Sequence, residues 1–204
     1  MKNRIKGAID KVSGALSQFQ FEDPKAYAFW LSQAYYFVRH STPMLALSAG
    51  LSVENNAYHN RCIDHLSEEK GHDKMLINDL KLMGYRPQNF PELAQTQALY
   101  QTQYYWIQHK SPVSFLGYIM LLEGLAVVGG KELHARVQGH KGKTFIKVHS
   151  DDDVEHLEKA MQMMDAFTPA EQVMITKNCE MSAEIYLTMI SAIRNECTVS
   201  ALSA

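Results

Sequence analysis

The pattern of apolar and polar positions contains no stretch of useful length with the strict alternation of a half-buried strand. The prolines also favour helices, because all six suit a helix start or an inter-helix turn. The clearest start is Thr168-Pro169-Ala170-Glu171, with threonine as the N-cap, proline at the first helical position and glutamate at the third. The pattern therefore predicts an all-α protein.

We predict seven helices, or eight if the short third segment counts separately. They span residues 3–19, 24–40, 43–52, 55–83, 91–109, 112–138, 144–167 and 169–196. Gly84 followed by Pro87 ends the long fourth segment. The loops are short and no internal repeat is present, so we expect one domain over residues 1–204, with the N-terminal helix in 1–20 packed on it.

Composition excludes several functional classes. The chain has 204 residues, of which 46% are hydrophobic and 21% charged. Its formal net charge of -2 gives no reason to expect nucleic acid or an anionic membrane as a partner. The start of the chain lacks the apolar core of a secretory signal, and we expect no membrane span. Three cysteines at unrelated spacings favour reduced thiols, so a soluble cytoplasmic protein is expected.

The fourth segment, RCIDHLSEEKGHDKMLINDLKLMG, carries the first group of candidate metal ligands. On a continuous helix Glu69 and His72 would lie about 60° apart and one turn along, so that both face one point. His65, seven residues before His72, falls on the same stripe. The alternative is a solvated charged face, which is the common fate of such residues.

The stretch HSDDDVEH, residues 149–156, carries the second group. His149, Asp153 and His156 share one helix stripe at i, i+4 and i+7, whereas Asp151 and Asp152 turn away from it. Imidazole and carboxylate together suit iron, manganese or zinc rather than calcium. An acidic surface patch is the alternative.

The third candidate is Glu123 in FLGYIMLLEGLAVVGG, whose neighbours along the helix are apolar. A carboxylate in such a helix is expected to be buried, and a buried carboxylate needs a metal or a cationic partner from another helix. Gly124, Gly129 and Gly130 weaken this helix, which indicates that something approaches it closely.

Together these groups supply three carboxylates and three histidines, a set that suits two ferrous or manganous ions with open positions for O2 and substrate. A ferritin-like bundle does not fit. It requires Glu-x-x-His on two helices, but this chain has that motif once, and residues 25–53 contain no Asp or Glu.

Glu69-x-x-His72, the lone Glu123 and His149-x3-Asp153-x2-His156 resemble the ligand pattern of the heme-oxygenase-like di-iron oxidases. The runs EEKGHDKMLINDLKLMG and QAYYFVRHSTPMLALSAG are also similar to this family, over roughly residues 25–190. The resemblance implies the seven- to eight-helix bundle that heme oxygenase shares with the thiaminase-II (TenA) and PqqC proteins. It also implies an iron-dependent, O2-using oxidase of a small organic molecule that carries a carboxylate or an amine.

By this resemblance, Glu69, His72 and His149 would hold one iron, and Glu123, Asp153 and His156 a second, more weakly bound iron, with manganese as an alternative metal. His65, Asp73 and Asp152 would be additional ligands or groups that orient ligands. His65 stands where some relatives carry a carboxylate. A homodimer is expected.

Four other functions of the same superfamily stay open at this point. A cofactorless, PqqC-like oxidase would use His and Tyr in a pocket without metal, which would leave the carboxylates unexplained. A non-catalytic, ligand-binding member could keep a degenerate site. A heme protein would need an axial histidine, for which His40 is the only early candidate. A thiaminase would need a nucleophilic cysteine in mid-chain, and none occurs between Cys62 and Cys179.

The substrate pocket is expected beside the metal ligands, with aromatic walls and a cationic residue for an anionic group. Ordinary core packing is the alternative for each aromatic residue. The predicted lining residues are Tyr35, Phe37, Arg39, His40, Phe115, Tyr118 and Met120.

Overall fold

The computed structural model describes the backbone of residues 1–202 and the side chains of residues 1–150 and 157–198. This part of the chain contains nine α-helices and three short 3-10 turns. The helices are α1 (Lys2–Ser17), α2 (Pro24–Val38), α3 (Ser41–Gly50), α4 (Asn56–Glu69), α5 (His72–Leu82), α6 (Ala94–His109), α7 (Leu116–Arg136), α8 (Thr144–Met163) and α9 (Pro169–Leu202). The all-α prediction is confirmed.

The helix predicted over residues 55–83 is in fact two helices. Helix α4 ends at Glu69, Lys70 is extended, and Gly71 has a φ of 98°, a left-handed conformation that glycine adopts without strain. Helix α5 then starts at His72. The apolar pattern runs through the break, which is why the sequence indicates a single helix.

Helix α7 forms the centre of the bundle, packing most extensively on α8 and also on α1 and α9. Its glycines allow these close approaches. A Cβ on Gly124 would lie 2.4 Å from the Ile9 side chain of α1, and one on Gly130 would lie 3.1 Å from Cβ of Ser150 in α8. The close approach predicted from these glycines is therefore made by neighbouring helices.

The segment Pro112–Arg136 is long and apolar enough to cross a membrane by composition alone. However, 72% of its most apolar window is buried inside the bundle, as in the core helix of a soluble fold.

Candidate metal centre

The candidate centre forms where four helix segments converge. His65 and Glu69 come from the last turns of α4, His72 begins α5, Glu123 lies in the middle of α7, and His149 lies in α8. The break at Gly71 places Glu69 and His72 at facing helix ends. They meet across a turn rather than along a continuous helical stripe.

Glu69, His72 and His149 form a compact cluster whose potential ligand atoms all lie within 4.8 Å of one another. Glu69 Oε1 is 3.3 Å from His72 Nδ1, and the rings of His72 and His149 have centroids 4.7 Å apart. The side chains of Glu69 and His72 are only 15% and 12% exposed. The cluster is thus largely shielded from solvent.

The electrostatic environment keeps Glu69 ionised. Burial acts to raise the pKa of Glu69, but the close contacts of its carboxylate with the His65 and His72 rings outweigh burial and hold that pKa well below its usual range. An ionised carboxylate is the state in which Glu69 can bind a divalent cation, since ligand protons must leave before the ion binds.

The backbone of α8 orients His149. Nδ1 of its ring lies 2.8 Å from the carbonyl oxygen of Phe145, and a carbonyl can only accept, so Nδ1–H donates that bond. Nε2 is then the ring nitrogen that would bind a metal, as in histidine ligands whose other nitrogen donates to a carbonyl. The ring of Phe145 also packs on His149, with centroids 4.1 Å apart.

A buried carboxylate joins α5 to α8 beneath this cluster. Asp79 is fully buried, and its Oδ2 accepts the backbone N–H of Phe145 at 2.8 Å, in the first turn of α8. Asp79 therefore caps a helix that it does not belong to. Helix α5 carries His72 and α8 carries His149, so this cap fixes the helices of two cluster members relative to each other.

Glu123 is 6% exposed, as its apolar neighbours predicted, and it has a cationic partner from another helix. Nη2 of Arg61 in α4 lies 3.0 Å from its Oε1, and Nε2 of His65 lies 3.5 Å from the same oxygen. His65 Nε2 is also 3.6 Å from Glu69 Oε1, so His65 links the two carboxylates. The sequence analysis did not predict Arg61 as the partner of Glu123, although Arg61 precedes His65 by one helical turn on the same face of α4.

Of the remaining proposed ligands, the structure describes the side chain of Asp73 but not those of Asp153, His156 and Asp152. Asp153 and His156 fall on the continuous helix α8, as their spacing requires, but their side chains lie outside the described residues, as do those of Asp151 and Asp152. Asp73 lies half-buried in the first turn of α5, where a negative charge complements the free amides of the helix start.

A cavity of about 130 Å³ opens beside the centre. His65, Glu69, Glu123 and His149 line its polar end. Aromatic residues form much of the remaining wall, namely Trp30, Phe37, Phe115, Tyr118, Phe145 and Tyr186. The arrangement suits a molecule with an apolar body and one polar group directed at the ligands.

The predicted pocket residues divide into two groups. Phe37, Phe115 and Tyr118 line the cavity, whereas Tyr35, Arg39, His40 and Met120 lie elsewhere. Met120 is fully buried in the core, Arg39 stacks over Tyr35, and His40 lies flat on Tyr100 with ring centroids 3.9 Å apart. The sequence did not show which face of α2 turns inward.

Tyr118 and Trp30 each bring to this cavity a buried polar atom without a hydrogen-bond partner among the described residues, and that of Tyr118 is a hydroxyl. The side chain of Tyr118 is 2% exposed. Burial, together with the nearby charge of Glu69, holds its pKa well above the usual value, so the hydroxyl keeps its proton as a donor.

The donor chemistry of the cluster fits ferrous iron. Two imidazoles and one carboxylate, held from different helix ends beside a shielded cavity, form the ligand set typical of non-heme iron sites with open coordination positions. Glu69, His72 and His149 are the residues that would hold the ion.

Comparison with solved structures shows the fold. A domain of unknown function with a heme oxygenase-like fold from Shewanella denitrificans superimposes with a TM-score of 0.85 at 19% identity, covering 100% of this chain and 94% of that one. A TenA homologue from Pyrococcus furiosus gives a TM-score of 0.76 at 12% identity, covering 94% and 98%. A CADD-like protein of unknown function from Nostoc punctiforme gives 0.69 at 16%, covering 94% and 97%.

Comparison with curated protein sequences finds no match. A family model described as "Iron-containing redox enzyme" matches residues 28–186, a span that includes Glu69, His72, Glu123 and His149. With the heme oxygenase-like fold and the cluster of histidines and carboxylate, this match shows that the chain belongs to the iron-containing redox enzyme family.

Proposed function

We propose that the protein is a non-heme, iron-dependent, O2-using oxidase of a small organic molecule. The observation that carries this proposal is the buried cluster of Glu69, His72 and His149 at the polar end of an apolar cavity. A ferrous ion held there would supply O2 activation. A second ion would use Glu123, Asp153 and His156.

The cavity limits the part of the substrate that is buried. Its volume of about 130 Å³ is similar to the roughly 150 Å³ of an engineered apolar protein cavity that accepts benzene. We therefore propose a slender or small apolar body with a carboxylate or amine at one end. Where that polar end is a carboxylate, the Tyr118 hydroxyl would donate a hydrogen bond to it, because the hydroxyl has no partner among the described residues.

The other superfamily chemistries have less support from the described residues. None of the three cysteines lines the cavity, and burial raises the pKa of Cys62 and raises that of Cys179 to about 12, which opposes a thiolate nucleophile. His40 is stacked on Tyr100, and its Nδ1 lies 3.0 Å from the Tyr104 hydroxyl, so this ring does not face the cavity as an axial heme ligand would.

The test is anaerobic loading with ferrous iron, followed by metal analysis and by O2-uptake measurements with a panel of small apolar carboxylates and amines. We expect bound iron and substrate-triggered O2 uptake in the wild type, with both abolished in Glu69→Ala and His149→Ala. His109→Ala, which removes an exposed histidine, is the control and should retain both. A wild-type protein that binds no iron would refute the proposal.

A further inference from the structure

Arg61 holds a permanent positive charge next to the carboxylate of Glu123. Its Nη2 lies 3.0 Å from Glu123 Oε1, and the two side chains are 12% and 7% exposed. A guanidinium keeps its charge at any pH relevant to proteins, so this pair is a charge-assisted contact in a poorly solvated setting. A cation bound at Glu123 Oε1 would therefore lie close to the charge of Arg61.

Not all of the hydrogen-bond donors of the Arg61 guanidinium have a partner among the described residues. Its Nε is buried and has no hydrogen-bond partner among the described residues. Its Nη1 lies 3.9 Å from Oε2 of Glu68, a carboxylate near the end of the same helix whose side chain is 43% exposed. Arg61 thus has a second acceptor within a short rotation of its side chain, in a better solvated location.

We propose that Arg61 acts as the resident cation of the second metal position and determines how many ions the centre holds. In this arrangement Glu69, His72 and His149 bind the first ion tightly, whereas a second ion binds Glu123 only when Arg61 turns towards Glu68. The inference rests on the proposed metal-dependent function, because Arg61 can compete with a second metal ion only if the centre binds metal.

The physical basis is repulsion between like charges. A divalent ion on Glu123 and a guanidinium still paired to the same carboxylate would lie a few ångströms apart, where repulsion in a partly buried site is strong. The alternative role for Arg61, orienting Glu123 as a metal ligand, predicts the opposite effect of removing the charge. In that case the second ion would bind more weakly without Arg61.

The experiment is an anaerobic titration of the full-length protein with Mn²⁺, followed by equilibrium dialysis, metal analysis and electron paramagnetic resonance. We expect wild type to bind one ion tightly and a second weakly. In Arg61→Met the first affinity should stay within about twofold, and the second should increase by about tenfold or more. The spectrum of an exchange-coupled ion pair should then appear at lower total Mn²⁺ than in wild type.

Arg61→Lys is the matched control, because it retains the positive charge, and its second ion should bind as weakly as in wild type. If Arg61→Met folds poorly without metal, Arg61→Gln and a thermal shift measurement provide the test. Mn²⁺ should raise the melting temperature of the neutral variant more than that of wild type, since the ion replaces the lost charge on Glu123.

Three outcomes would overturn the inference. Two ions of equal affinity in wild type, or a second ion that binds Arg61→Met no more tightly than wild type, would exclude competition by Arg61 while leaving the first site and the proposed function intact. No bound Mn²⁺ or iron in any variant would reject the proposed function together with this inference.

Discussion

Asp79 offers the sharpest test of how the helices that carry the proposed metal ligands are held together. In Asp79→Ala the Phe145 amide in the first turn of α8 loses its acceptor in a fully buried position. Loss of a helix cap costs about 1–2 kcal/mol, and a buried unsatisfied amide costs about 1–3 kcal/mol. These two terms overlap, so we expect the free energy of unfolding to fall by about 2–3 kcal/mol.

Asp79→Asn separates the hydrogen bond from the charge. The asparagine side chain keeps an oxygen that accepts from Phe145, and it loses only the interaction of a negative charge with the helix start, worth about 0.3–1 kcal/mol. This variant should therefore retain most of the stability that alanine loses. Asp64→Ala, which removes an exposed carboxylate from α4, should be close to neutral.

The assay is urea unfolding followed by far-ultraviolet circular dichroism. With a denaturant slope of about 2–3 kcal/mol per molar, the midpoint of Asp79→Ala should fall by about 1 M relative to wild type. A midpoint unchanged in Asp79→Ala, or equal losses in the alanine and asparagine variants, would refute the assignment of Asp79 as the cap that joins α5 to α8.

Three further predictions follow from other contacts. Gly117→Ala should lower the free energy of unfolding by about 3 kcal/mol or more, because a Cβ there would lie 2.1 Å from the backbone oxygen of Ile175, which cannot move aside. Gly71→Ala should cost about 1–2 kcal/mol in urea unfolding and weaken ferrous iron binding, since the φ of 98° is unfavourable for alanine and the turn joins two proposed ligands. Arg136 holds the pKa of Glu22 at about 2, mainly by hydrogen bonding, below its ordinary value of 4.5. The stability advantage of wild type over Glu22→Gln should therefore be present above pH 4.5 and disappear as the pH falls towards 2, as measured by urea midpoints across that range.

Each of these predictions has a specific counter-result. Gly7→Ala is the control for Gly117→Ala, because Gly7 lies in an exposed part of α1 with nothing within 4 Å of its Cβ position, and alanine should slightly stabilise that helix. Equal effects of the two glycine substitutions would contradict the packing argument. An unaltered iron affinity in Gly71→Ala would show that the turn does not align the ligands, and a pH-independent difference for Glu22→Gln would show that the ion pair with Arg136 is absent in solution.

The helix starts were the most predictable part of the fold. Pro24 and Pro169 begin α2 and α9 as predicted, and Thr168 and Glu171 form the expected reciprocal cap, with the Thr168 N–H donating to Glu171 at 2.8 Å. Pro91 was a weaker guide, because α6 begins three residues later, at Ala94. Proline excludes a helix interior but does not by itself specify where a helix begins.

The candidate centre was predictable in its membership and less so in its geometry. The sequence spacing predicted that Glu69 and His72 lie close together on one continuous helix. They do lie close together, but the helix is broken between them and a turn makes the contact. The pairing of Arg61 with Glu123 joins residues 62 positions apart, and helical periodicity carries no information about contacts at that separation. The cap by Asp79 was hidden for the same reason, since Phe145 is 66 positions away.

The turn at Gly71 also has a consequence for how a metal ion bound at the proposed site would leave. Helix α4, which carries Glu69, packs mainly on the short helix α3, whereas α5 packs on α2 and α8. The two ligands that flank the turn therefore belong to segments with unequal anchoring. We expect the residence time of the ion to be set by local unwinding of the last turn of α4, with slowed hydrogen exchange of those amides when metal is bound, rather than by unfolding of the bundle.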